Sequence, residues 1–251
     1  MFLEERQNQI VSLLEREGRV SVSDLAERFS VTEDCIRKDL RHLVADGRCR
    51  RVYGGATRIE PEVNRRIVSR VDTFRPEKQA VATKALGLIG EHQTVFLDAS
   101  STNILLARLI ANTDISCMIV TNSVDVAHEA AANPRISVVC PGGNFNSDYN
   151  GFIGAMTASI LEGFRFDVGF LGAVGIDPYS GDVLTLDLDD GPVKRVVLQN
   201  SEKRILLCTA DKLGHSGSFR YATLEDFDLV LADDPSHKAY EPLHKNGVMV
   251  R

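Results

Sequence analysis

At 251 residues the chain is about 1.7 times the rough 150-residue prior for one domain, so two domains are expected. A hydrophobic fraction of 43% and a charged fraction of 25% exclude a disordered or collagen-like chain, and no apolar run approaches the ~18 residues of a membrane span. Five cysteines (Cys35, Cys49, Cys117, Cys140, Cys208), odd in number and never spaced C-x-x-C, argue against a disulfide framework. With a start, MFLEERQNQI, too charged for a signal peptide, they point to free thiols in a reducing cytoplasm.

The net charge of −6 conceals an asymmetry. Residues 1–58 hold 11 Lys and Arg against 10 Asp and Glu, whereas the remainder holds 18 against 25. Between Arg37 and Arg58 there are seven basic residues and only two acidic ones, Asp39 and Asp46. A compact basic stretch on an otherwise acidic chain points to one small surface for a polyanion.

In chain order, Ile10, Leu13 and Leu14 share a face of a helix over about 4–17, ended by Gly18. Ser21 and Asp24 form an S-x-x-D capping box opening a second helix, with Leu25, Ala26 and Phe29 inward. Thr32 caps a third helix that buries Ile36, Leu40, Leu43 and Val44 and stops at Gly47. At 100° per residue Arg37, Lys38 and Arg41 fall on the opposite side. The segment RCRRVYGGATR reads as a hairpin around Tyr53-Gly54-Gly55. Two helices, a turn, a helix with an outward basic face and a basic hairpin make a winged helix-turn-helix. Arg37, Lys38 and Arg41 are expected in a DNA major groove, with Arg48, Arg51 and Tyr53 on phosphates, and Ser21 and Thr32 at the two helix starts as further contacts.

Glu60-Pro61-Glu62 breaks the pattern, and a helix opens at Pro76-Glu77 and runs to Ile89 with Val81, Ala85 and Leu88 buried. From Thr94 strands and helices alternate: TVFLD, STNILLARLI, CMIVT, VDVAHEAAA and ISVVC, then FDVGFLG, RILLC and FDLVLA, with helices near 153–162 and 191–200. Near-continuously apolar strands in β-α-β order imply a parallel sheet covered on both faces. The expected fold is therefore α/β: a winged helix-turn-helix domain (1–58), a linker (59–77) and a larger domain with a mainly parallel sheet (78–251).

Small or polar loops follow the strands at what would be one shared edge: Asp98 to Thr102, Thr121 to Ser123, Pro141 to Asn144, Gly172 to Asp177 and Thr209 to Gly214. The Asp98-Ala99-Ser100-Ser101-Thr102 loop leads into a helix whose first amides are unpaired, a ready phosphate site. Ser100, Ser101 and Thr102 are expected to hold a phosphate with Lys212, while Asp98 and Asn122 read hydroxyls and Gly142 and Gly143 line the pocket. The six histidines show no metal-ligand spacing, so neither a metal nor another cofactor is expected.

VSVSDLAERFSVTEDCIRKDLRHLVADGRCRRVYGGA resembles the DNA-binding domain of the DeoR family of bacterial transcriptional regulators. Cys35 stands where the family has Thr, Lys38 where it has Arg, and Tyr53 where it has His. FLDASST, VTNS, GGNF, FLGAVGID and the DKLG containing Lys212 resemble the family's sensor domain, which is similar in fold to ribose-5-phosphate isomerase. Here Ser100 replaces a Gly, Thr209 an acidic residue, and Asp189-Asp190-Gly191-Pro192-Val193-Lys194 the usual E-E-A-x-V-K. The resemblance implies a cytoplasmic repressor of a carbohydrate catabolism operon that is not an enzyme. Its partners would be double-stranded operator DNA, a phosphorylated sugar effector and further copies of itself as dimer or tetramer, with no membrane. The rival readings are a sugar-phosphate isomerase with a DNA-binding appendage and an architectural DNA-binding protein. Pro141, where the isomerase loop carries a lysine electrophile, weighs against the first.

Overall fold

The computed structural model describes residues 3–17, 19–46, 48–52, 54–57 and 67–251. Gly18, Gly47, Tyr53, Arg58 and the first half of the expected linker lie outside the described residues. The chain divides into two compact units, Met1–Val63 and Asn64–Arg251.

In the first unit α1 (Leu3–Glu17), β1 (Arg19–Ser21), α2 (Val22–Phe29), α3 (Glu33–Ala45), β2 (Arg50–Val52) and β3 (Gly55–Thr57) follow one another. Ser21 caps α2, its hydroxyl accepting from Asp24 N–H at 3.0 Å, and Thr32 caps α3 by accepting from Cys35 N–H at 3.3 Å. Ile10, Leu14, Leu25, Ile36, Leu40 and Leu43 form the core. Val44, expected inside, is exposed: at 100° per residue it sits at the margin of the apolar stripe. The expected hairpin is the β2–β3 pair, but β1 adds a third, unexpected strand in the order β1-β3-β2. Gly55 is required there, since a Cβ would lie 2.0 Å from Val20 O of the neighbouring strand.

The second unit starts earlier than the sequence suggests. A short helix, α4 (Ile67–Val71), falls within the expected linker, yet Ile67 and Val71 are buried in the second unit's core. Next come α5 (Arg75–Leu86), β4 (Thr94–Leu97), α6 (Ser101–Ala111), β5 (Cys117–Thr121), α7 (Val124–Ala130) and β6 (Ile136–Val139). Helix α5 ends at Leu86, so Leu88 is only half buried beyond it. A hairpin of β7 (Asn144–Asn146) and β8 (Gly151–Ile153) precedes α8 (Ala155–Leu161) and β9 (Phe166–Gly172). Then follow β10 (Gly175–Ile176), β11 (Asp182–Thr185), α9 (Asp190–Asn200), β12 (Ser201–Cys208), β13 (Phe219–Thr223), β14 (Leu229–Ala232) and α10 (Glu241–Lys245).

All six expected strands form one parallel sheet, ordered β14-β12-β9-β4-β5-β6. Successive side chains point to opposite faces, so Val95, Leu97, Phe170 and Leu207 enter one core while Phe96, Leu171, Leu206 and Cys208 enter the other. A smaller antiparallel sheet, β10-β11-β13, covers the second face with α8 and α9. From β4 the chain winds outward through β5 and β6, and from β9 it winds the other way through β12 and β14. The gap between the ends of β4 and β9 is thus the topological switch point, where such sheets open a crevice.

Candidate functional sites

On the first unit, Arg37, Lys38 and Arg41 lie exposed on α3, opposite the buried Ile36 and Leu40. Arg37 is held by Glu33 at 2.6 Å and Asp34 at 3.1 Å, both exposed pairs of the kind that phosphate or a base edge can replace at little cost. Arg41 Nε donates to Arg37 O at 3.3 Å, and Arg48 donates to Asn8 on α1 at 2.9 Å. Arg51 is exposed on β2, whereas Tyr53 lies outside the described residues. Ser21 and Thr32 already use their hydroxyls as helix caps. Beneath α3, Arg6 pairs with the buried Asp39 through 2.6 and 3.2 Å bonds, and its Nη2 also donates to Cys35 Sγ at 3.3 Å. The thiol at the position of the family's Thr therefore faces α1.

The second site assembles where β4 and β9 part. Asp98, 1% exposed, accepts from Gly172 N–H at 2.7 Å, from Asn103 Nδ2 at 2.7 Å and from the Lys194 ammonium. Lys194 also donates to Gly172 O at 3.1 Å, and Asp190 lies 3.8 Å away, one turn earlier on α9. Asp190 accepts from Thr185 Oγ1 at 2.7 Å, and Tyr149 OH is 3.2 Å from the same hydroxyl. Tyr221 OH donates to Gly172 O at 2.9 Å, and the Lys194 ammonium lies 5.2 Å from its ring centre. Burial pushes the Asp190 carboxyl up, an effect that Lys194 opposes. The Lys194 ammonium is pulled down by burial but raised on balance by Asp190 and Asp98. Burial also lowers the Arg70 guanidinium, which stands in the field of Asp190 and Asp98.

Of the residues expected in this site, Ser100 begins α6 without capping it, and its buried hydroxyl has no hydrogen-bond partner. It faces Gly172, where a Cβ would come within 3.0 Å of Ser100 Oγ. Thr102 is buried and Ser101 half buried on the first turn of α6. Asn122 is fully buried and bridges two backbones, accepting from Ala99 N–H at 3.1 Å and donating to Phe152 O at 2.9 Å. The Gly142–Gly143 turn is tied to α8, with Thr157 Oγ1 donating to Gly142 O at 3.2 Å. Lys212 pairs with its neighbour Asp211 at 2.8 Å, and Asp211 accepts from Thr209 at 2.6 Å. Sequence reasoning missed Lys194, Asp190 and Arg70. The Asp190–Lys194 spacing was a signal for one side of the network, whereas Asp98 is 96 residues away. Among the described residues no group of three His, Cys, Asp or Glu side chains could hold a metal. Among the described residues no helix is long and apolar enough to cross a membrane.

Residues 6–62 match the DeoR-like helix-turn-helix domain, and residues 73–234 match the DeoR C-terminal sensor domain. The glycerol-3-phosphate regulon repressor of Escherichia coli is 31% identical over 92% of this chain and 91% of its own length. The HTH-type transcriptional regulator GolR of Listeria innocua is 30% identical over 100% and 99%, and the repressor GlcR of Bacillus subtilis 29% over 99% and 95%. Ribose 5-phosphate isomerase A of Methanocaldococcus jannaschii has a TM-score of 0.41 at 18% identity, over 54% of this chain and 53% of that one. With both of its domains matched in order along nearly the whole length, the chain belongs to the DeoR family, as a DNA-binding transcriptional regulator with a C-terminal sensor domain.

Proposed function

We propose that the chain is a cytoplasmic repressor of a carbohydrate or polyol operon, binding operator DNA through α3 and the β2–β3 wing, and answering to a phosphorylated metabolite at the β4–β9 switch point. The observation that carries the sensor half is Ser100: a buried hydroxyl without a partner, at the start of a helix whose first amides point outward, beside a buried Asp98–Lys194 pair. Buried polar groups are normally satisfied, so an open one marks where a ligand completes the network. Relatives named for glycerol 3-phosphate make a small phosphorylated polyol the first compound to try. In this reading Ser101 and Thr102 hold the phosphate with Ser100, Lys212 exchanges Asp211 for it, and Asp98 and Asn122 fix the walls more than they read hydroxyls. Turnover is not favoured: Asp98 is engaged by three donors and so is not poised to take a substrate proton.

One α3 reads only a few base pairs, so a symmetric dimer or tetramer with two such helices is needed for operator selectivity. Sedimentation at micromolar concentration should show that oligomer; a monomer with full operator affinity would contradict it. The sensor assignment is tested by titrating operator DNA with and without phosphorylated three- to six-carbon polyols and sugars. In a Thr102→Ala, Lys212→Ala chain, DNA binding should persist and the response should vanish. A double variant that responds at wild-type concentrations rules this pocket out.

A further inference from the structure

Unlike every other helix of the second unit, α8 carries no charged residue: its sequence is AMTASIL. Thr157, Ala158 and Leu161 on its inner side are buried, whereas Met156, Ser159 and Ile160 are exposed on its outer side. At 100° per residue these three share one stripe with Gly163, just past the helix end, and Glu162 falls on the flank. A surface helix normally turns a charged face to water, and a helix without one is normally covered on both sides. Two more apolar side chains adjoin the start of α8. There Gly154 N–H donates to Asp189 O at 2.9 Å, and a Cβ on Gly154 would lie 3.8 Å from Asn144 Nδ2. Leu188 precedes Asp189, and Phe145 follows Asn144 with its ring edge-on to Phe152, centres 5.8 Å apart. Phe145, Met156, Ile160 and Leu188 are 44–66% exposed. Four such side chains present a few hundred Å² of apolar surface, enough for the centre of the ~800 Å² that each partner buries in a stable dimer.

The two ends of α8 differ in charge. At its start Asp187 and the exposed Asp189 flank Leu188. Past its end Arg165 is exposed, donating to Phe164 O at 3.1 Å and to Asn200 Oδ1 at 2.9 Å, and it pairs with no described acidic residue. A second copy turned about a twofold axis would lay α8 antiparallel on α8 and set Asp189 of each chain towards Arg165 of the other. Ser159 and Gly163 would leave grooves for the facing Met156 and Ile160 side chains. We propose that α8, with Phe145 and Leu188 beside it, is the face through which a second copy of this chain docks, antiparallel about a twofold axis. This names the surface for the symmetric oligomer of the proposed function, and it rests on that reading.

Sedimentation of the full chain at micromolar concentration tests the face. Wild type should be a dimer or larger. Ile160→Glu puts a carboxylate into the exposed stripe and should halve the mass. Arg165→Asp should weaken association at least tenfold, and adding Asp189→Arg should restore it. A wild-type monomer, an Ile160→Glu chain of unchanged mass, or a charge swap that restores nothing would each overturn the surface. The charge swap decides the matter even if Ile160→Glu fails to fold. Operator titration separates this from the reading beneath it. A wild-type oligomer that keeps its mass in every variant removes only the surface. An Ile160→Glu chain that is halved in mass yet binds operator with full affinity and selectivity removes only the need for an oligomer.

Discussion

Both units bury charge, and they balance it differently. In the first, Arg6 and Asp39 form a one-to-one pair, held by two bonds in a small core beneath α3. In the second, Lys194 lies between two aspartates in the field of Arg70, and a serine hydroxyl is left open. A closed pair has nothing to gain from a ligand and serves to fix one helix against another. An open, multi-charge cluster is stable in more than one protonation and ligation state, which is what a sensor requires. The comparison assigns rigidity to the DNA-reading unit and responsiveness to the other.

The largest effect expected is at the closed pair. Asp39→Ala strands the buried Arg6 and should cost about 3 kcal/mol, the low end for breaking a buried pair. Operator binding should be lost with it. A variant with normal thermal unfolding and normal operator affinity would show that the pair fixes nothing. Next is the exposed face that the pair supports. Arg37→Ala should cost about 1–3 kcal/mol and relax specificity at one base pair. Arg51→Ala should weaken all sequences alike and lower the salt slope by roughly one. Operator binding untouched by both would remove α3 and the wing from the interface.

The smallest effect concerns Lys78 on α5, 2% exposed, whose ammonium is pulled down to about 8 by burial. Below pH 8 Lys78 is charged in both folded and unfolded chains, and folding bears the full cost of burying it. As pH rises from about 8 toward the ~10.4 of an unfolded lysine, the folded chain gives up the proton first, so this contribution to stability rises. Lys78→Met should therefore unfold at a higher temperature than wild type at pH 7, with the gap closing by pH 10. Taking the difference between the two chains cancels thiols such as Cys117, pushed up to about 11 by burial, whose contribution runs the opposite way. A gap that does not change with pH means Lys78 is not the group that titrates.

The six central strands were legible because strands buried on both faces are short apolar runs whatever surrounds them. The caps Ser21 and Thr32 were legible for a local reason too, since each bonds three residues ahead. What escaped depends on distant partners. The three residues of β1 form a strand only because β3 returns to them, and β11 pairs with β13 across a gap filled by a helix and a central strand. Helix α4 is five residues long and too short to hold alone; the burial of Ile67 and Val71 in the second core makes it. In the site, the hydroxyl-rich turn before α6 and Lys212 announced themselves, but the buried Lys194 did not. Lys194 is an ordinary helix lysine in sequence, and only the fold brings it to Asp98.

The central claim is that a phosphorylated ligand in the second unit changes what the first unit does on DNA. Equilibrium titration of an operator fragment, with and without saturating glycerol 3-phosphate and related sugar phosphates, tests it directly. At least one phosphorylated compound should change operator affinity fivefold or more, about 1 kcal/mol of coupling, and its unphosphorylated form should do so only at tenfold or higher concentration. Operator affinity indifferent to every phosphorylated compound, in a chain that binds the fragment tightly, would contradict the account.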